Sequence, residues 1–190
     1  ILGNPEMSAE LIERFINTRP CVVVAPDYRK AYTEPYPAGF NDCYDTLLWA
    51  VQNAAQLGAH SDGVMVAGHS AGGGLAAAVT LKARDTGDVN IAFQMPIYPM
   101  IDDEQPQDAE RNIDVPVWNT LTNLIGWQAY LAALEQSGSA IPTYAAAARN
   151  SDYAGFPPTI TFVGTLEPFY RETQAYVRSL RDAGIEVRYA

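Results

Sequence analysis

Residues 64–84 narrow the folds open to this chain more than any other stretch. Val64-Met65-Val66-Ala67 is a short, continuous apolar run, the pattern of a strand covered on both faces. Gly68-His69-Ser70-Ala71-Gly72 follows, then Gly73, Gly74 and an alanine-rich helical stretch from Leu75 to Arg84. A G-x-S-x-G string in that strand-to-helix setting holds a serine hydroxyl out of the backbone on a sharp turn. Such a turn brings backbone segments close together, so the positions beside the serine must be small. Ser70 is therefore the candidate nucleophile. The Ala71 amide, at the start of the helix, is the candidate donor to a developing oxyanion, aided by the helix dipole. A glycine-rich loop can also simply turn the chain or cradle a phosphate. A Walker-type loop, however, needs a lysine before its serine or threonine, and none stands here.

The pattern on either side alternates strand and helix, which predicts an α/β fold with a mostly parallel sheet and helices on both faces. Cys21–Ala25 reads as a strand, and Pro26, Pro35 and Pro37 then break the chain into a loop. Asn41 or Asp42 can cap a helix carrying Leu47, Leu48, Val51, Ala54 and Ala55, with Gly58 as its stop. Further strands are expected at Ala92–Tyr98, Thr159–Val163 and Ile185–Tyr189. Pro168 can open a helix with Thr173, Val177 and Leu180 on one face and Gly184 at its end. Residues 101–150 interrupt this rhythm. They begin with Asp102, Asp103 and Glu104 and continue with Trp118, Trp127, Tyr130 and Tyr144. An excursion of that length reads as a cap-like insertion within a single domain, although aromatics at such spacing also suit an ordinary core.

Composition sets the outer limits. The chain has 190 residues, 48% hydrophobic and 18% charged, enough for one buried core and no more than one domain. A formal charge of -10 argues against nucleic acid or an anionic membrane surface as partner. No apolar run approaches the roughly 20 residues a membrane span needs, and no leader precedes the fold, although Ile1 implies a missing natural N-terminus. Cys21 and Cys43 read as packed free thiols, which suits a reducing, cytoplasmic setting. The two histidines, His60 and His69, have no metal-ligand spacing to a cysteine pair, so neither metal nor cofactor is expected.

Several stretches carry a resemblance. Gly68–Ala76 resembles the nucleophile motif of the hormone-sensitive-lipase-like bacterial esterases (family IV). The resemblance extends to Asp27-Tyr28-Arg29, Tyr36-Pro37-Ala38, Asn41-Asp42-Cys43, Trp49, Tyr144-Ala145-Ala146, Phe156-Pro157-Pro158, Phe162-Val163-Gly164 and Leu166–Phe169. It covers essentially the whole chain and implies an α/β-hydrolase fold acting on small acyl esters. It also implies an internal fragment, incomplete at both ends. The family's His-Gly-Gly-Gly oxyanion run would lie before Ile1, and its catalytic histidine after Ala190. Plant gibberellin receptors resemble the same family but replace the histidine, so a ligand-binding protein is the second reading; a lactone or amide hydrolase is a third.

The acid of a Ser-His-Asp/Glu triad follows a late strand and orients the histidine. Glu167 occupies that place, where the resemblance implies aspartate in most relatives; it could instead only favour the next helix's N-terminus. Asp102 or Asp103 is the rival acid, though the run 102–104 reads as a solvated loop. His60 precedes the strand that Ser70 follows, about 13 Å away along four residues, and so is out of reach as a base. His69 adjoins Ser70 but the turn aims the two side chains apart.

Overall fold

The computed structural model describes residues 2–190. Four strands form one sheet in the order β1-β2-β3-β4: Met65–His69, Phe93–Ile97, Thr159–Thr161 and Val187–Tyr189. Every pairing is parallel, with Met65 opposite Phe93, Gln94 opposite Thr159 and Thr159 opposite Val187. Parallel neighbours need a crossover between them, and helices supply it. The α-helices among the described residues are α1 (Ala9–Thr18), α2 (Ala38–Gln52), α3 (Ala71–Thr86), α4 (Thr120–Ser137) and α5 (Tyr170–Asp182). The expected α/β class with a parallel sheet is the observed one.

Helix α3 lies at the centre. Ala76, Ala77, Ala78, Val79, Thr80, Leu81 and Ala83 are all buried, which the small alanine side chains allow on more than one face at once. On one side α3 meets Phe40, Tyr44 and Leu47 of α2; on the other, Ala77 and Leu81 share a cluster with Tyr176 and Leu180 of α5. The expected face of α5 is confirmed: Thr173, Val177 and Leu180 are buried. Gly87 closes α3 and Gly138 closes α4, both in the left-handed region that glycine adopts without strain.

Three local expectations give way. Cys21–Ala25 forms no strand: Val22, Val23 and Val24 are exposed, and no neighbouring segment pairs with them among the described residues. A β-branched run becomes a strand only where a ladder partner lies alongside, and Cys21 is accordingly exposed instead of packed. Cys43 is partly buried, and burial pushes its thiol up to about 12. Helix α2 starts at Ala38, ahead of the expected cap. The Asp42 carboxylate instead accepts from the Arg29 backbone N–H at 2.8 Å and from its guanidinium at 2.8 to 3.2 Å.

The acidic run 102–104 is not a solvated loop either. Asp103 is 5% exposed and holds Arg149 through two bonds of 2.8 and 2.7 Å, while Asp102 pairs with Arg111 at 2.7 Å. Only Glu104 is open to solvent. Buried carboxylates require such partners. Arg149→Ala strands the Asp103 charge; because Arg149 is one-third exposed, the expected cost is about 2 kcal/mol. A lower urea midpoint at unchanged slope is the readout; an unchanged midpoint contradicts it.

Residues 101–150 are anchored by polar contacts as well as aromatic ones. Asn119 and Thr122 form a reciprocal capping box at the start of α4. Buried Asn123 donates to Gln105 at 2.5 Å and accepts from the Trp118 indole at 3.3 Å. Trp127 and Leu131 are buried with Met100, Val163 and Phe169, so these aromatics serve as core. No helix among the described residues is long and apolar enough to cross a membrane.

Candidate active site

Ser70 stands between the last residue of β1 and the first of α3, with φ 56° and ψ −122°. A serine in that region carries strain of about 1–3 kcal/mol, which persists only where the surroundings enforce it. Here they do. The Ser70 N–H donates to the Ile97 carbonyl at 3.0 Å, and the Ser70 carbonyl accepts from Met100 at 3.0 Å and from Gly74 at 3.1 Å.

The glycines around it differ in what they are for. A Cβ on Gly68 would lie 2.2 Å from the Gly72 carbonyl oxygen, and one on Gly74 would lie 2.1 Å from that of Met100. On Gly73 it would meet the Ile97 oxygen at 2.9 Å and Pro99 Cα at 3.0 Å. Gly72, although part of the five-residue motif, faces open space. Gly68 thus lets the turn close on itself, and Gly73 and Gly74 let it press against the chain leaving β2. The Ala71 N–H, at the first position of α3, has no intrahelical acceptor and remains available to a ligand.

Glu167 follows β3, in the turn that precedes α5. Its Oε1 accepts from the Gly164 N–H at 3.0 Å, so the side chain folds back over its own turn. A Cβ on Gly164 would come within 2.8 Å of that oxygen, and the glycine is what admits the fold-back. Oε2 has no hydrogen-bond partner among the described residues and is free to accept another donor.

Strands β1 and β3 flank β2, so Ser70 and Glu167 sit at the carboxyl ends of strands about 10 Å apart. This is where sites gather in parallel sheets. Tyr98, just past β2, lies between them. Its ring centroid is 6.0 Å from those of both His69 and Phe162. Burial, and then the Glu167 charge, raise its phenol above the ordinary range, which places that carboxylate within electrostatic reach. Tyr98 was missed in the sequence, although its position directly after a central strand was a usable signal.

Neither histidine serves Ser70. His60 is exposed in the turn before β1. His69 turns away, its Nε2 3.3 Å from the Ser8 hydroxyl. Asp102 and Asp103, the rival acids, are engaged by Arg111 and Arg149. A cleft of about 340 Å³ between Gln107 and α4, lined by Trp127 and Leu131, includes none of Ser70, Tyr98 or Glu167. Side-chain geometry, not that cavity, marks the site. Among the described residues, no group of three His, Cys, Asp or Glu side chains gathers as a metal site would need.

Comparison with known proteins bears on the fold and the family. The family model described as alpha/beta hydrolase fold matches residues 1–190. The chain is 36% identical over 172 residues to carboxylesterase NlhH of Mycobacterium tuberculosis, covering 87% of this chain and 52% of that protein. It is 27% identical over 191 residues to the gibberellin receptor GID1A of Arabidopsis thaliana, covering 98% and 55%. The solved structure titled bacterial heroin esterase superposes with a TM-score of 0.92 at 33% identity, covering 99% of this chain and 60% of that one. The chain spans about half the length of the curated relatives it matches.

Proposed function

Because the chain belongs to the α/β-hydrolase-fold family, we propose that it carries the nucleophile and acid of a serine carboxylesterase acting on small acyl esters. The observation behind this reading is the enforced, strained backbone of Ser70 at the carboxyl end of β1. Backbone strain of that kind is retained where a side chain must be presented to a reactant.

In this reading Ser70 Oγ attacks the ester carbonyl. Its proton passes to a histidine that lies outside these 190 residues and is returned to the departing alcohol. Glu167, through Oε2, orients that imidazole and steadies it when charged. The Ala71 N–H, with further amides from outside the chain, receives the oxyanion. Water then cleaves the acyl-serine by the same route in reverse roles.

Similarity to a gibberellin receptor supports a second reading, a pocket that holds a small molecule without turning it over. A fluorophosphonate probe separates the two, because it modifies only an activated serine. We expect the full-length protein to be labelled stoichiometrically, with peptide mass placing the adduct on Ser70. Absence of labelling, with tight ligand binding, supports the receptor and ends the esterase reading.

A further inference from the structure

The strained serine is held by a strap, the segment Ile97–Asp102 that leaves β2. Ile97 and Met100 make two of the three hydrogen bonds to the Ser70 backbone, and Pro99 and Met100 press on Gly73 and Gly74. A clamp is only as rigid as its own support. That support comes from α5, whose third residue, Glu172, is 3% exposed.

Glu172 Oε1 accepts from the Ile101 N–H at 2.9 Å and from the Asp102 N–H at 3.4 Å. Arg111 bridges Glu172 Oε2 at 3.4 Å and Asp102 at 2.7 Å, and the Ile101 carbonyl accepts from Ala148 at 3.0 Å. Burial pushes the Glu172 carboxyl well above the ordinary carboxylate range, yet Oε1 accepts from a backbone N–H in either protonation state. Keeping a costly carboxyl there calls for a function in placement. Glu172 also stands five residues after Glu167. Thr173, Tyr176, Val177 and Leu180 lock its helix into the core.

We propose that Glu172 is a positioning residue for the ester hydrolysis described above: it braces the strap that clamps Ser70 and ties it to the helix whose leading turn carries Glu167. The proposal rests on Ser70 as the nucleophile. Glu172 touches no reacting atom; it sets the separation and aim of the two groups that do. Small misplacements matter in such arrangements, since about 1 Å of displacement can cost about a hundredfold in rate.

The test compares full-length wild type with Glu172→Gln, Glu172→Asp and Glu172→Met, at temperatures well below each melting point. Rates are normalised to folded protein, and peptide mass fixes the site of phosphonate labelling. Gln keeps an acceptor of the right length, so kcat and the labelling rate stay within about threefold of wild type. Met fills the space without that acceptor. It lowers kcat and the Ser70 labelling rate about tenfold to a hundredfold, with KM for p-nitrophenyl acetate nearly unchanged. Asp, a carboxyl a methylene short, falls between and decides the matter should Met fail to fold. The proposal is overturned if Met or Asp lowers the melting temperature while kcat stays at the wild-type value. A loss in Gln as large as in Met overturns it too. A label that maps away from Ser70 brings down the nucleophile itself, and the brace with it.

Discussion

Ser70→Ala is expected to lower kcat on p-nitrophenyl acetate about a million-fold in any form of the protein that turns the ester over, with little change in KM. The size follows from how the groups act. A histidine and a carboxylate have no reaction to assist once the hydroxyl is gone, so one deletion removes the contribution of all three. What survives is binding and oxyanion stabilisation, about 10³–10⁴ over water. The same logic predicts that the bare 190-residue chain is essentially inactive, since neither His60 nor His69 is aimed at Ser70. A longer form that supplies a histidine to Ser70 should show burst kinetics that Ser70→Ala abolishes. Turnover by the bare chain that disappears with Ser70→Ala would show that a base lies within these residues after all. Turnover that survives Ser70→Ala would remove Ser70 from the mechanism.

The second large effect concerns stability. Gly74→Ala places a methyl 2.1 Å from the Met100 carbonyl oxygen, a backbone atom that cannot swing aside as a side-chain tip can. Relief requires the strap or the start of α3 to move, and with it the hydrogen bonds from Gly74 and Met100 to the Ser70 carbonyl. A cost of about 3 kcal/mol is expected, the upper end of ordinary overpacking. Gly72→Ala is the matched control. Its Cβ enters open space within a helical turn, so stability is unchanged or rises by up to about 1 kcal/mol. Urea unfolding of both variants tests the pair. Equal losses at the two positions would mean that the elbow is not pressed against the strap as described.

Much of the candidate site's local geometry was legible because its demands are local. Strand, small residues, serine and helix are contiguous, and steric rules for a tight turn act over five to seven residues. The placement of Glu167 followed from the same kind of reading, a carboxylate after a strand and before a helix, although that helix begins at Tyr170 and leaves Pro168 in the turn ahead of it. Its fold-back onto Gly164 was also a local matter, though only coordinates displayed it.

Elsewhere, patterning misled for a common reason. Val22–Val24 have every local mark of a strand, but a strand exists only with a hydrogen-bonded neighbour, and none lies alongside among the described residues. Asp102 and Asp103 look like a solvated run until Arg111 and Arg149 are brought to them. Asp42 looks like a helix cap until Arg29 takes its carboxylate. Glu172 shows nothing in the string, since its partners Ile101 and Arg111 lie 71 and 61 residues away.

The amino-acid sequence alone determined the alternating α/β architecture and the sharp presentation of Ser70, because both are set by periodicity and short-range sterics. Tertiary structure alone decided which glycines are indispensable, which carboxylates are buried, and which apolar run finds a partner. Those outcomes depend on atoms distant in the chain, whose proximity only the folded packing creates.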